Sequence, residues 1–120
     1  MVQLRSIQAC QKAGSDRGCI AGQGGENEKG ELPEDFDAQV HQAFDNLLVA
    51  LKAAGAVPGD VAKLTVLIVD HSEEKLHILG KALENSFGPG PKPTCTLIPV
   101  PRLALDGMLF EVEAVAVMAQ

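Results

Sequence analysis

The sequence predicts a single α+β domain with two α-helices packed on one face of a mixed β-sheet. Segments typical of strands alternate with two segments whose apolar residues recur at a period near 3.6. The predicted order is strand, strand, helix, strand, helix, strand, strand. No linker or internal repeat divides the 120 residues, a length that suits one domain.

The first half of the chain is predicted to contain two strands and a long helix. Apolar and polar residues alternate from residue 2 towards residue 9, and residues 18–22 form a short strand before a glycine-containing loop at 24–30. Residues 33–54 are predicted to be helical, ending at Gly55. The apolar stripe of that helix consists of Val40, Phe44, Leu47, Leu48 and Leu51.

The segment Val61–Val69 is predicted to be a strand that is apolar on both faces. One face carries Ala62, Leu64, Val66 and Ile68. The other carries Val61, Lys63, Thr65, Leu67 and Val69. Strands of this kind are buried on both sides. Because two helices can cover only one face of a sheet, the pattern predicts a partner subunit on the other.

The second half is predicted to contain a helix and two strands. Ser72 can cap a helix that ends near Phe87. The residues predicted to face inward from that helix are Leu76, Leu79, Gly80 and Leu83. A Gly-Pro loop precedes a strand from Thr94 to Val100. Pro99 and Pro101 predict that at least the end of this strand lies at a sheet edge or a bulge. The last strand spans residues 109–118, with Glu111 and Glu113 on one face.

Composition narrows the function classes. The net charge is −6 and no cluster of Lys or Arg occurs, so we expect no nucleic-acid partner. No apolar run is long enough to span a membrane, and residues 1–10 do not resemble a signal peptide. Three cysteines at unrelated spacings predict neither a disulfide framework nor a metal site. We therefore expect a cytoplasmic protein without a metal or cofactor.

Five short segments carry a more specific signal. They are Gly22-Gln23, Gln42 to Leu47, Pro93-Thr94-Cys95-Thr96, Pro101-Arg102-Leu103 and Glu111 to Ala116. In this order and spacing they closely resemble the Rid (YjgF, L-PSP) family of small trimeric imine and enamine deaminases. The resemblance implies a chorismate-mutase-like domain over residues 1–120. It also implies a homotrimer that binds a small molecule in clefts between subunits.

The same resemblance implies roles for single residues. Glu111 matches the glutamate that helps to position the attacking water, so it is the predicted catalytic residue. The predicted substrate-binding residues are Gly22, Cys95, Thr96 and Phe87. The family usually has an arginine at the position of Cys95, where its two donors grip the substrate carboxylate. A thiol cannot make this pair of hydrogen bonds. The serine that the family usually has before the glycine of the first segment is also replaced, by Ala21.

Two functions remain open on this basis. The chain is predicted to be a hydrolytic deaminase of an imine, enamine or related C–N substrate, with altered specificity because Cys95 replaces the arginine. The alternative is a catalytically silent trimer that binds a metabolite or has a regulatory role. At residue level, Glu111 could also be an ordinary solvated strand residue, and Cys95 is expected to be a small buried thiol and not a nucleophile.

Overall fold

The computed structural model describes residues 9–11 and 17–118. The strands are β1 (Ala9–Gln11), β2 (Arg17–Gly24), β3 (Val61–Val69), β4 (Thr94–Val100) and β5 (Phe110–Val117). The helices are α1 (Phe36–Ala53) and α2 (Glu73–Phe87), and a 3₁₀ turn spans Pro58–Asp60. The strands form one sheet in the order β1-β2-β5-β3-β4. Only the β3–β4 pair is parallel, so the sheet is mixed as predicted.

The predicted element order is confirmed for the described residues, with shifts at the N-terminal strands. Of the predicted first strand, only Ala9 lies within the described residues, and it opens β1. Strand β2 is longer than the predicted segment 18–22 because pairing with β5 extends from Arg17 to Gly24. Residues 12–16, between β1 and β2, lie outside the described residues.

Helix α1 begins and ends at specific caps. The extended Asp35 accepts a hydrogen bond from the Ala38 amide at 3.2 Å, so the helix starts at Phe36 and not at residue 33. At the other end, Gly55 has a φ of 82° and the Ala56 amide donates to the Leu51 carbonyl at 2.8 Å. This is the helix-ending geometry in which glycine is favoured.

An aromatic cluster joins α1 to the central strand β5. The rings of Phe36 and Phe110 meet edge to face with centroids 6.0 Å apart, and Phe44 lies 5.8 Å from Phe110. Such pairs add about 0.5–1.5 kcal/mol each beyond their burial. The predicted stripe of α1 is buried at Val40, Phe44, Leu47 and Leu51, and Leu48 packs at its border.

Helix α2 begins as predicted but presents a different face to the core. Ser72 accepts a hydrogen bond from the Lys75 amide at 3.3 Å. Leu79 and Ala82 are buried, whereas Leu76 and Gly80 are exposed, so the inward assignment of those two residues was wrong. The helix is turned so that the Lys75 ammonium lies 4.8 Å from the centroid of the Phe36 ring.

Because of a β-bulge, the first residues of β3 face the opposite way from the prediction. The register with β5 shifts between Val61 and Lys63, so Ala62 is the extra residue. As a result Val61 is buried and Ala62 is exposed, the reverse of the simple alternation. Beyond the bulge the prediction is confirmed, because Leu64, Val66 and Ile68 are fully buried.

The sheet face opposite the helices, which we call the open face, contains no fully buried side chain among the residues of β3, β4 and β5. Its residues are Lys63, Thr65, Leu67, Val69, Thr94, Thr96, Ile98, Val100, Glu111, Glu113, Val115 and Val117. Helices α1 and α2 leave this mixed polar and apolar surface to solvent in the single chain. Neither of these helices is long and apolar enough to cross a membrane.

A buried glutamine connects α1 to the loop that leads into β5. The fully buried Gln39 donates to the Pro33 carbonyl at 2.8 Å and the Gly107 carbonyl at 2.9 Å. Its side-chain carbonyl accepts from the Leu109 amide at 2.9 Å. Gln39 therefore holds the residue that precedes β5 and fixes where that strand starts.

Replacing Gln39 with Leu should destabilise the protein by about 2–4 kcal/mol, because a fully buried side chain loses three hydrogen bonds to the backbone at nearly constant volume. Urea unfolding at fixed protein concentration measures the change. Gln42→Leu is the matched control, because Gln42 is only half-buried and donates to Asn46 alone. Equal effects of the two substitutions would contradict the role given to Gln39.

Candidate functional site

Glu111 lies at the start of the central strand and on the open face. Its neighbours along β5, Phe110 and Val112, are fully buried against the helices. The period-two alternation of a strand therefore directs Glu111 to the other side of the sheet, where it is half-buried. Glu113 shares this face and is exposed. Of the two carboxylates, Glu111 has the more enclosed position.

Gly22 packs directly against Glu111. A Cβ atom added at Gly22 would lie 2.6 Å from the Glu111 Cδ and 3.0 Å from its Cγ. Any side chain at this position would displace the carboxylate. The β2–β5 register shifts between Ile20 and Gln23, so the close approach occurs at a bulge. The structure thus brings together two of the predicted site residues.

Apolar residues flank Glu111 on the neighbouring strands. Leu67 on β3 is its register partner, and Ile98 on β4 is the register partner of Leu67. Leu67 is half-buried and Ile98 is 42% exposed. The carboxylate therefore has glycine backbone on one side and an aliphatic surface on the other. Sequence reasoning assigned no site role to Leu67 or Ile98, although their alternation in apolar strands was visible.

Thr96 lies on the open face, but its register position along the sheet is that of Glu113 and not that of Glu111. It is the register partner of Thr65, which in turn pairs with Glu113. Two strand spacings of about 4.8 Å separate Thr96 from β5, roughly 10 Å in all. In one chain Thr96 therefore faces the same side as Glu111 without lying next to it.

Cys95 and Phe87 lie on the helix side of the sheet. Cys95 is the register partner of Leu64, which is fully buried beneath the helices, so it occupies the face opposite Glu111. Phe87 ends α2 and packs at the border of the core. With Lys92 and Thr94 it lines an open cavity of about 290 Å³ between the 3₁₀ turn and the loop before β4. One chain alone does not bring these residues to Glu111.

The expectation that Cys95 is buried was wrong. Its side chain is exposed, and it lies on β4, the edge strand of the sheet. The atoms around the sulfur still remove part of its hydration, and this desolvation raises the pKa of the Cys95 thiol. Cys95 is therefore a neutral thiol at pH 7, and a thiol is a weaker nucleophile than a thiolate.

Two side-chain amides on α1 hold the end of β2, next to the site, from the helix side of the sheet. Asn46 on α1 donates to the Gly24 carbonyl at 2.9 Å and to the Glu26 carbonyl at 2.8 Å. Gln42 donates to the Asn46 side chain at 3.0 Å, which fixes the orientation of that amide. The end of β2, just beyond Gly22, is thus attached to α1. The polar positions beside the apolar stripe were the only sequence signal for this role.

The open face carries the carboxylates Glu111 and Glu113 and the ammonium group of Lys63. Lys63 lies on the open face beside Thr65, two positions along β3. Arg102 is held in its own loop, where it donates to Asp106 at 2.9 Å and to the Leu103 carbonyl at 3.1 Å. Among residues 9–11 and 17–118 no group of three or more His, Cys, Asp and Glu is arranged to hold a metal ion.

Alkylation of Cys95 by iodoacetamide should show a pH midpoint above about 8.5, the ordinary thiol value, because desolvation favours the neutral form. Mass spectrometry of the Cys95 peptide at a series of pH values measures this. The same peptide in urea-unfolded protein is the control and should titrate at the ordinary value. A midpoint lower in the native protein than in the unfolded one would show an activated thiolate instead.

Comparison with known proteins agrees with the fold. The sequence profile of the family described as Endoribonuclease L-PSP matches residues 14–118. The chain is 34% identical over 97 residues to the RutC family protein YjgH of Escherichia coli (strain K12), covering 81% of this chain and 72% of that protein. It is 34% identical over 90 residues to 2-iminobutanoate/2-iminopropanoate deaminase of the same organism, covering 73% and 68%.

The structural comparison agrees with the sequence comparison. The crystal structure of RidA from the Antarctic bacterium Psychrobacter sp. PAMC 21119 superimposes with a TM-score of 0.83 at 28% identity. The superposition covers 92% of this chain and 86% of that one. Since the matched profile spans most of the sequence and both relatives are 34% identical to it over 90 residues or more, the chain belongs to the Rid (YjgF, L-PSP) family.

Proposed function

We propose that this protein is a hydrolytic deaminase of an imine, enamine or related C–N substrate, with Glu111 as the residue that orients the attacking water. The observation that carries the proposal is the contact between Gly22 and Glu111. It holds a half-buried carboxylate at the edge of an aliphatic surface. A related protein of 34% identity is a 2-iminobutanoate/2-iminopropanoate deaminase, which supports this reaction class.

Glu111 is proposed to act first as a general base and then as a general acid. The carboxylate accepts a hydrogen bond from water, and the water oxygen forms a bond to the imine carbon as its proton passes to Glu111. The carboxyl group then protonates the nitrogen. The π electrons of the C=N bond move to the nitrogen in these steps, which gives a carbinolamine. Its hydroxyl proton then passes through Glu111 to the amine nitrogen, the C–N bond breaks, and ammonia and the carbonyl product leave. A fixed carboxylate contributes about 10²–10⁴-fold to such proton transfers.

Specificity is proposed to differ from that of relatives that hold a substrate carboxylate with arginine. Cys95 stands where the family resemblance places that arginine, and its thiol is neutral at pH 7. Arg102 is engaged with Asp106 and Leu103 in its own loop. Among the described residues, neither side chain is placed to form a bidentate pair with a carboxylate beside Glu111. The substrate is therefore proposed to be one that does not depend on this pairing.

The protein is proposed to act as a homotrimer with its ligand sites between subunits. The open face exposes aliphatic residues, among them Ile98 at 42% and Val117 at 45%. A second subunit against this face would remove them from water. In addition, Cys95 and Glu111 lie on opposite faces of one chain, so only a neighbouring subunit could bring both to one small-molecule site.

Glu111→Gln should lower imine hydrolysis by about 10²-fold or more, because the amide cannot accept the proton of water. Glu113→Gln is the matched control, since Glu113 lies two residues away on the same face. Its rate should stay within a few-fold of wild type. Imines are generated in situ from a panel of amino acids by a flavin oxidase, and the rate is measured as loss of semicarbazide-trapped imine.

Cys95→Arg in the same assay separates the two functions that the sequence leaves open. Turnover by wild type, increased for amino-acid imines in Cys95→Arg, would agree with a deaminase of altered specificity. Turnover only in Cys95→Arg would make the natural protein a ligand-binding trimer. Equal rates in wild type and Glu111→Gln would contradict the role of Glu111.

Val117→Asp should convert the trimer to monomer, because a carboxylate would be buried against the aliphatic face of a neighbour. Light scattering after size-exclusion chromatography should then give the 12.6 kDa mass of one chain instead of about three times that value. Val49→Asp is the control, since Val49 is 58% exposed on α1. A monomeric wild type, or dissociation by both substitutions, would contradict an interface on the open face.

A further inference from the structure

The cavity of about 290 Å³ between the 3₁₀ turn and the loop before β4 lies at the end of the sheet where β3 and β4 begin. Val61, the first residue of β3, lines it. Glu111 is the register partner of Leu67, six residues further along β3, which is roughly 20 Å of strand. Within one chain the cavity is therefore separate from that carboxylate. We propose that it is a second binding site, which takes a small aromatic carboxylate, and this proposal does not rest on the reaction proposed for Glu111.

The walls of the cavity are apolar and rigid. They include Phe87 and three prolines, Pro58, Pro91 and Pro93. Because proline fixes its own backbone φ angle, these walls are held in place before a ligand arrives, and little conformational entropy is lost on binding. Pockets for drug-sized ligands have volumes of about 300–1,000 Å³. This cavity is at the lower limit of that range, which suits a single aromatic ring with one small substituent.

One cation lies among these apolar walls. Lys92 is the only charged residue among the described residues that line the cavity. Its side chain is only 25% exposed, and its ammonium group donates to the Gly90 carbonyl at 3.2 Å and lies 3.3 Å from a carboxylate oxygen of Glu84. The following Pro93 disfavours the helical conformation at Lys92, so the backbone at this position is restricted as well. The positive charge is therefore held at the cavity.

The ion pair between Lys92 and Glu84 leaves room for a ligand carboxylate. The Glu84 side chain is 61% exposed. Exposed ion pairs contribute little to stability, because water and salt screen them. An ammonium group has three donors, of which Glu84 and the Gly90 carbonyl account for two. A carboxylate inside the cavity is less screened than that of Glu84, so it binds at the third donor or replaces Glu84.

The other polar side chain of the cavity is already used within the protein. The Thr94 hydroxyl donates to the carbonyl of Ala62 at 3.1 Å, and Ala62 is the extra residue of the bulge in β3. This bond ties the first residue of β4 to the start of β3 and so fixes one side of the cavity. With the Thr94 donor engaged, the described side chains of the cavity offer one strong donor, at Lys92. The site therefore favours an anion with an apolar body over a neutral polar molecule.

Benzoate and benzamide are suitable probes, because they have nearly the same shape and differ in charge. Each is titrated into the isotope-labelled full-length protein at constant ionic strength, and the backbone amide shifts are followed by NMR. The amide signals of Gly59, Lys92 and Thr94 should move together, with a dissociation constant for benzoate on the order of 1 mM, the range of a fragment-sized ligand. Benzamide should bind at least about 10-fold more weakly, since it lacks the charge-assisted contact.

Substitutions of the two charged residues should act in opposite directions. Lys92→Gln should weaken benzoate binding about 10-fold and leave benzamide binding unchanged, whereas Glu84→Gln should strengthen benzoate binding a few-fold by removing a competing carboxylate. Lys29→Gln is the control, because Lys29 is an exposed lysine outside the cavity. The proposal is overturned by an absence of shifts at the cavity, by equal affinities for the two probes, or by an unchanged benzoate affinity in Lys92→Gln.

Discussion

The alternation of strand β5 determines both the core and the candidate site. β5 occupies the centre of the five-stranded sheet, with β2 and β3 as its neighbours. Its fully buried residues Phe110 and Val112 pack against α1 and its aromatic cluster. Because the side chains of a strand alternate between faces, burying these residues necessarily turns Glu111 away from the helices. The catalytic candidate is thus positioned by the same force that folds the domain.

The position of Glu111 depends on hydrogen bonds that tie the neighbouring loops to α1. Gln39 holds the backbone at Leu109, immediately before β5. Asn46 holds the backbone at Gly24, at the end of β2. These two amides lie two turns apart on one helix and act on the two strands that meet at the contact between Gly22 and Glu111. The helix therefore fixes the site although it lies on the opposite side of the sheet.

The open face is the side of the sheet that α1 and α2 leave uncovered, and it is both charged and apolar. It carries two carboxylates among exposed aliphatic residues, and a protein surface of this kind is suited to association and to enclosing a small ligand.

The sequence alone determined the fold class, the order of the elements, their approximate bounds and the family. These follow from local information: helical and strand periodicities, the caps at Ser72 and Gly55, and motifs at fixed spacing. The separation of Glu111 from the buried face was also readable, since the alternation of β5 is regular. Period-two and period-3.6 patterns are properties of short segments and need no knowledge of distant contacts.

Only the tertiary structure decided the pairing and rotation of these elements. The bulge that exposes Ala62 arises from the register between β3 and β5, and the outward position of Leu76 arises from how α2 docks on the sheet. The placement of Cys95 on the face opposite Glu111 likewise depends on which strands become neighbours. Strand register and helix rotation are set by packing between segments far apart in sequence, so local patterns do not specify them.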